Sequence, residues 1–232
     1  MIRKLLAAIL LLASCTRAPR ELDVAAAISL KDALTEVARG WEGGGGERVV
    51  FNFAGSNVLA RQIKAGAPVD VFLSADMRTV ESIRDSLETP VPLLANTLVV
   101  VSERPVASLR DLLTFEHVAI GDPSAVPAGV YARQALQQAG VWEALQPKII
   151  PCENVRAALK AVESGGAGAA IVYATDARLA KRTKVALTID SVKVMYPIAV
   201  VRGAKHVEAG RRFVGYCRSA EGMKIFRKHG FR

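Results

Sequence analysis

Short apolar runs alternate with stretches of helical spacing along most of the chain. A run of about five apolar residues bounded by turn residues predicts a buried strand, and apolar residues three or four positions apart predict a helix packed on a core. Strands are predicted at residues 22–27, 48–53, 69–73, 93–101, 118–120, 148–150, 169–173, 185–189 and 192–201. Helices are predicted at residues 31–41, 57–65, 77–86, 109–115, 128–139, 155–164 and 206–230. The helix at 128–139 is extended by residues 142–145, and the helix at 206–230 is interrupted near Ser219.

Alternation of strands with helices is typical of α/β proteins with mainly parallel sheets. The runs at 93–101 and 192–201 are longer than a typical strand, and we expect them to link two lobes. The prediction is a two-lobed α/β protein in which helices flank a mainly parallel sheet in each lobe and a ligand occupies the cleft. The first lobe would hold residues 21–95 and 198–232, and the second residues 96–197.

The first 14 residues have a different character. Arg3 and Lys4 precede the apolar run 5–13, and this pattern predicts a secretory signal peptide. The run is too short to span a bilayer, which takes about 20 apolar residues. Residues 12–15, Leu-Ala-Ser-Cys, resemble the bacterial lipobox, which implies that Cys15 is diacylated and begins the mature chain. Two acyl chains give durable membrane anchoring, and the polar residues 15–20 are expected to act as a tether.

Composition and charge narrow the class of protein. Of 232 residues, 51% are hydrophobic and 23% charged, which permits a sizeable core and excludes a disordered chain. The formal net charge of +9 falls to +7 without the leader, which carries two basic residues and no acidic one. The basic residues are spread along the chain and no nucleic-acid-binding motif appears, so we expect a solvated basic surface and no nucleic-acid partner.

Cysteine and histidine are too sparse for a structural metal site. Apart from Cys15, the chain has Cys152 and Cys217, which either form a disulfide or remain two thiols. No C-x-x-C motif occurs and the three histidines are scattered, so no site for a bare metal cation and no cofactor is predicted.

Four predicted strand-to-helix turns carry groups suited to an anion. Ser29 and Ser56 follow the first two strands and are candidate N-caps. Pro127 suits the first position of a helix, which would leave the N–H of Ala128 free, and Asn154 is a candidate cap that would leave the N–H of Val155 free. Helix N-termini bind anions through these N–H groups and the helix dipole. Tyr173, at the end of a strand, is a further hydrogen-bond donor. Taken singly, each residue is more often a structural cap or a core tyrosine.

Several segments together resemble the periplasmic molybdate-binding proteins of ABC transporters, which are type II solute-binding proteins. The similar segments are AAAISLKDAL at 25–34, FAGSNVLARQIKAGAPVDVFLSAD at 53–76, GDPSAVPAGVYA at 121–132, NVRAAL at 154–159, IVY at 171–173, and YPIA at 196–199. The resemblance covers nearly the whole mature chain. Ile28 departs from the alanine common in that family, and Gly55, Asn57 and Val58 replace a stretch usually rich in serine and threonine.

The resemblance implies the periplasmic-binding-protein fold, with two lobes that close on the ligand by a hinge. It implies that molybdate or tungstate is bound by Ser29, Ser56, Ala128, Val155 and Tyr173 and delivered to an ABC permease. The protein is then expected to be a non-enzymatic monomer in the periplasm or on the outer face of the cell membrane, held by its lipid.

Three alternatives remain open from the sequence. A binding protein of this fold for sulfate, phosphate or another oxyanion is the nearest. A secreted hydrolase is less favoured, because no G-x-S-x-G, H-E-x-x-H or P-loop motif occurs and Asp70 and Asp76 are better explained as capping or solvent-facing residues. The third alternative is a purely structural envelope lipoprotein.

Overall fold

A computed structural model describes residues 21–232 of the chain. The predicted signal peptide at 1–14, the tether at 15–20 and the lipidation of Cys15 therefore lie outside the described residues. Among residues 21–232, no helix has both the length and the apolar character needed to cross a bilayer.

Eight strands form one continuous sheet, in the order β2-β1-β3-β8-β4-β7-β5-β6. The strands are β1 Glu21–Ala27, β2 Arg48–Ala54, β3 Val71–Leu73, β4 Val91–Ser102, β5 Val118–Gly121, β6 Ile149–Cys152, β7 Ala169–Tyr173 and β8 Lys184–Val200. The helices are α1 Lys31–Gly43, α2 Ser56–Lys64, α3 Met77–Glu81, α4 Pro127–Gln138, α5 Trp142–Leu145, α6 Val155–Glu163, α7 Ala174–Ala177, α8 Val207–Arg218 and α9 Ala220–Lys228. Short 3-10 turns occupy Ile28–Leu30, Arg84–Ser86, Leu109–Thr114 and Gln146–Lys148.

The α/β fold predicted from the sequence is confirmed. The parallel strand pairs lie toward the two ends of the sheet. Strands β1, β2 and β3 are parallel to one another and form the first lobe; β5, β6 and β7 are parallel and form the second. Strands β4 and β8 pair antiparallel with each other and join the lobes, since β8 also pairs with β3 and β4 with β7. The predicted lobe boundaries at 95/96 and 197/198 fall inside these two crossing strands.

Two local predictions differ from the structure. The strands predicted at 185–189 and 192–201 are one strand, β8, because its long partner β4 holds both halves across a register shift: Asn96 faces Val194, whereas Leu98 faces Ile189. The helix predicted at 77–86 ends at Glu81 and is followed by a 3-10 turn, because the backbone of Ile83 leaves helical geometry with φ −129°.

Burial explains the apolar patterns. All five residues of β7 are buried, as expected for a strand with neighbours on both sides and helices over its faces. Helix α6 buries Val155, Ala158, Leu159 and Val162, the spacing of one helical face. Cys152 and Cys217 are both free thiols, the first partly exposed and the second buried, so no disulfide joins them.

Candidate functional site

The five residues predicted to bind the ligand line one small cavity. It lies just beyond the carboxyl ends of the parallel strands of both lobes, where ligands bind in α/β proteins of this kind. Ser29 and Ser56 come from the first lobe, and Ala128, Val155 and Tyr173 from the second. The remaining lining residues are Ala27, Ile28, Ala54, Gly55, Ala75, Val126, Pro127 and Asn154.

The cavity is narrow because the two lobes touch around it. Its volume is only about 10 Å³. Arg156 of α6 forms an ion pair of 2.6 Å with Asp32 of α1 in the other lobe. A methyl group placed on Gly55 would lie 3.0 Å from the carbonyl oxygen of Glu153, also across the cleft. The structure therefore represents a closed arrangement of the lobes.

The two serines do not cap helices with their side chains. The helix that begins at Ser56 has Gly55 as its N-cap, and no side-chain cap bond forms there or at the 3-10 turn that holds Ser29. Instead, Ser29 Oγ lies 3.0 Å from the phenolic oxygen of Tyr196, and Ser56 Oγ accepts a 3.0 Å bond from the backbone N–H of Ala75. Because Ser56 Oγ is an acceptor in that bond, its own proton remains available to the cavity.

Ala128 and Val155 lie in the first turns of α4 and α6, as the sequence predicts. Pro127 opens α4, and Asn154 caps α6 by accepting a 2.9 Å bond from the N–H of Ala157. The first N–H groups of a helix have no acceptor within that helix, and the dipole adds a partial positive charge there. Both helices therefore present donors to the cavity.

Tyr173 is 1% exposed and its hydroxyl has no hydrogen-bond partner among residues 21–232. Burial raises the pKa of this phenol well above its usual value, and the nearby Tyr196 and Tyr131 raise it further. The group is consequently a neutral donor at any physiological pH. An unsatisfied buried hydroxyl costs about 1–3 kcal/mol, so its presence at the cavity indicates a ligand that accepts its hydrogen bond.

The cavity carries no ionised side chain. Its lining is made of small apolar residues, two serines, one asparagine and one tyrosine. Hydroxyl and backbone N–H groups from both lobes point to a small ligand that accepts hydrogen bonds from all sides. Within the described residues there is no group of three or more His, Cys, Asp or Glu side chains arranged for a metal ion.

A second candidate site for an anion is a wider depression of about 430 Å³ beside the cleft. It is lined by the basic residues Arg61, Lys64 and Arg78 together with Asn57 and Ala125. These three cations are exposed to solvent, where charge–charge attraction is strongly screened. The small cavity, with donors from both lobes and a lining of neutral groups, is the candidate site.

Three features of the site were missed from the sequence. Tyr196, behind Ser29, is 167 residues away in the chain, and no local pattern links the two. The ion pair between Arg156 and Asp32 likewise depends on how the lobes meet. The proximity of Gly55 to the carbonyl oxygen of Glu153 also depends on how the lobes meet.

Comparison with known proteins gives consistent matches. The family model described as "Bacterial extracellular solute-binding protein" matches residues 22–232. The molybdate-binding protein ModA of Escherichia coli (strain K12) is 40% identical over 91% of this chain and 88% of its own length. YvgL of Bacillus subtilis (strain 168), named as a proposed ABC transporter substrate-binding lipoprotein, is 31% identical over 97% and 95%. The periplasmic molybdate-binding protein of Azotobacter vinelandii superposes with a TM-score of 0.80 at 21% identity, covering 91% of this chain and 98% of that one.

Proposed function

Because the chain belongs to the bacterial extracellular solute-binding protein family, we propose that it binds molybdate, with tungstate as an equivalent ligand, and delivers it to the permease of an ABC importer. The 40% identity to a molybdate-binding protein over most of both chains supports the choice of ligand. The two anions have the same shape and charge and nearly the same size, so discrimination between them is expected to be poor.

The observation that carries this proposal is the unpartnered hydroxyl of Tyr173, a residue that lines the small cavity between the lobes together with other neutral groups. Molybdate is a fully deprotonated dianion at neutral pH, so each of its oxygens only accepts hydrogen bonds. Neutral donors at helix N-termini replace its water shell and stabilise its charge without a counter-ion. Selectivity against the smaller sulfate would come from the size that the cavity takes when the lobes fit around the bound anion.

The serines at the site are better suited to binding than to catalysis. A nucleophilic serine needs a general base within hydrogen-bond reach. Ser29 contacts a tyrosine with a raised pKa, and Ser56 contacts a backbone N–H. Among residues 21–232, neither hydroxyl has a base to take its proton. We therefore propose a transport role without catalysis. We further propose that the protein acts as a monomer.

The lipid anchor and the lobe boundaries belong to the same proposal. The lipobox-like residues 12–15, and the lipoprotein name carried by the relative YvgL, support anchoring through Cys15 at the outer face of the membrane. The lobes would comprise residues 21–95 with 198–232, and 96–197, and would close about β4 and β8. Replacing Cys15 with alanine should release the protein from the membrane fraction, and retention there would contradict the anchor.

Ligand-dependent unfolding of residues 21–232 tests the proposed function. Molybdate, tungstate, sulfate and phosphate are added in separate samples. A ligand at about 1,000 times its dissociation constant stabilises the fold by roughly 4 kcal/mol, which gives a clear rise in Tm. We expect this rise with molybdate and tungstate. A rise in Tm with sulfate or phosphate alone would identify that anion as the ligand in place of molybdate. No rise with any of the four anions would refute the proposed function.

A further inference from the structure

A series of buried side chains runs from the cavity to the strands that join the lobes. Ser29 Oγ is 3.0 Å from Tyr196 Oη, which is 3.5 Å from Nδ2 of Asn96. The same nitrogen donates a 2.9 Å bond to Thr175 Oγ1. All four residues are at most 9% exposed. Asn96 lies in β4 and Tyr196 in β8, so the series begins at the crossing strands and ends at the ligand cavity.

The direction of the hydrogen bonds in this series follows from Asn96. Its side-chain oxygen accepts a 2.8 Å bond from the N–H of Thr97, which fixes the amide so that its NH₂ group faces Tyr196. An amide nitrogen donates and cannot accept. The 3.5 Å separation makes this contact weak, but it leaves no acceptor for the Tyr196 proton on the Asn96 side.

The proton of Tyr196 is therefore directed to Ser29. Burial raises the pKa of Tyr196 well above its usual value, with the charge of Asp176 adding to the effect, so the phenol keeps its proton. Once Ser29 Oγ accepts that proton in a hydrogen bond, its own proton is the only one it has left to donate. We propose that Tyr196 is a positioning residue that holds the Ser29 hydroxyl as a donor toward the bound oxyanion. This inference rests on the proposed function.

Fixing Ser29 as a donor has a consequence for selectivity. Molybdate, tungstate and sulfate only accept hydrogen bonds, whereas monohydrogen phosphate also carries a proton that needs an acceptor. Ser56 Oγ already accepts from Ala75, and Asn154 Oδ1 accepts from Ala157. Each of these oxygens then keeps only one further lone pair, and Tyr196 turns the Ser29 proton toward the ligand, so the site accommodates the proton of a singly protonated oxyanion poorly.

The variant Tyr196→Phe removes the hydroxyl and keeps the ring. The ring packs edge-on against Tyr173 at 5.6 Å and Phe231 at 5.4 Å, so the phenylalanine variant retains its packing. Titration calorimetry with molybdate on wild type, Tyr196→Phe, Ser29→Ala and the double variant forms a double-mutant cycle. We expect Tyr196→Phe to weaken binding about tenfold, the equivalent of 1.4 kcal/mol. Ser29→Ala should then cost at least fivefold less in the Tyr196→Phe background than in the wild type.

Tyr216→Phe is the matched control. Its hydroxyl oxygen is also buried, but Tyr216 lies on α8 beside Glu221 and does not line the cavity. Molybdate affinity should be unchanged in this variant.

A second measurement compares the affinities for phosphate and molybdate at about pH 8, where phosphate carries one proton. Tyr196→Phe should narrow the preference for molybdate over phosphate, because the released Ser29 hydroxyl can turn and accept a hydrogen bond from the phosphate proton.

Independent effects of the two substitutions, or an unchanged preference for molybdate over phosphate, would overturn the role of Tyr196. A protein that binds sulfate instead of molybdate would refute the proposed function alone, since the same cycle run with sulfate still tests Tyr196. A protein that binds none of these anions would overturn both.

Discussion

Nη2 of Arg156 lies 2.6 Å from Oδ2 of Asp32, and this ion pair joins α6 of the second lobe to α1 of the first. On its other side, Arg156 Nε lies 3.2 Å from the buried carboxylate of Asp176 in its own lobe. One guanidinium thus connects a carboxylate of its own lobe with a carboxylate of the other lobe. The positions of Ser29 and Val155, close in sequence to Asp32 and Arg156, place this contact beside the ligand cavity.

Asp32→Asn should weaken molybdate binding modestly. The Asp32 and Arg156 side chains are 49% and 22% exposed, and ion pairs of this kind contribute about 0–1 kcal/mol, or up to about fivefold in affinity. Calorimetric titration measures the change. Glu21→Gln, which breaks an ion pair with Arg48 inside the first lobe, is the control. An equal loss of affinity in both variants would contradict a role in closure.

The free energy of unfolding should depend on pH through the titration of the Asp176 carboxyl. Burial raises the pKa of its carboxyl to about 6, and the attraction of Arg156 only partly offsets that effect. The folded chain thus holds this proton more tightly than the unfolded chain, whose pKa is near 3.8. Stability contributed by this group falls as pH rises from about 4 to about 6, by about 1.4 kcal/mol for each pH unit, and is constant above that range.

Asp176→Asn removes this titration. Urea unfolding of both proteins at several pH values between 4 and 7 should show the asparagine variant gaining relative stability up to about pH 6 and no further. A difference that does not change with pH would show that Asp176 is ionised throughout.

Gly55→Ala should impair closure without damaging the first lobe. Its φ of −62° suits alanine, but the added methyl group would lie 3.0 Å from the carbonyl oxygen of Glu153 and 2.8 Å from Oδ1 of Asn57. Overpacking of this kind costs about 1–3 kcal/mol, which predicts a loss of molybdate affinity of roughly five- to 150-fold. Gly215→Ala, with no atom within 4 Å of the new methyl group, is the control and should bind normally. Wild-type affinity in Gly55→Ala would show that the lobes need not approach this closely.

Tyr173→Phe should weaken molybdate binding without lowering the stability of the ligand-free protein. Removing a buried hydroxyl that has no partner in the ligand-free protein should leave its Tm unchanged or higher, because the unsatisfied group no longer costs free energy. Losing a donor to a charged ligand should weaken binding by about 1.5–3 kcal/mol, roughly ten- to a hundredfold. Thermal unfolding and calorimetry on the same preparation give both values. A lower Tm without ligand would mean that the hydroxyl supports the fold.

Sequence alone predicts helix starts well where local rules govern them. Pro127 and Asn154 mark helix starts through backbone geometry and capping, and the structure places Ala128 and Val155 where those rules predict. The rules failed for Ser29, whose hydroxyl faces Tyr196 instead of capping a helix. The contact between Ser29 and Tyr196 joins residues 167 positions apart, and the continuity of β8 depends on its register shift against β4. Both depend on tertiary contacts, which the spacing of apolar residues does not encode.

The most direct test of the account is the position of the molybdenum atom. Crystals of residues 21–232 grown with molybdate, measured at wavelengths on both sides of the molybdenum absorption edge, identify that atom by its anomalous signal. The account predicts one strong peak inside the cavity, with the oxyanion in hydrogen-bond reach of Ser29, Ser56 and Tyr173. A peak only in the exposed basic depression beside Arg61 and Lys64, with the cavity empty, would contradict it.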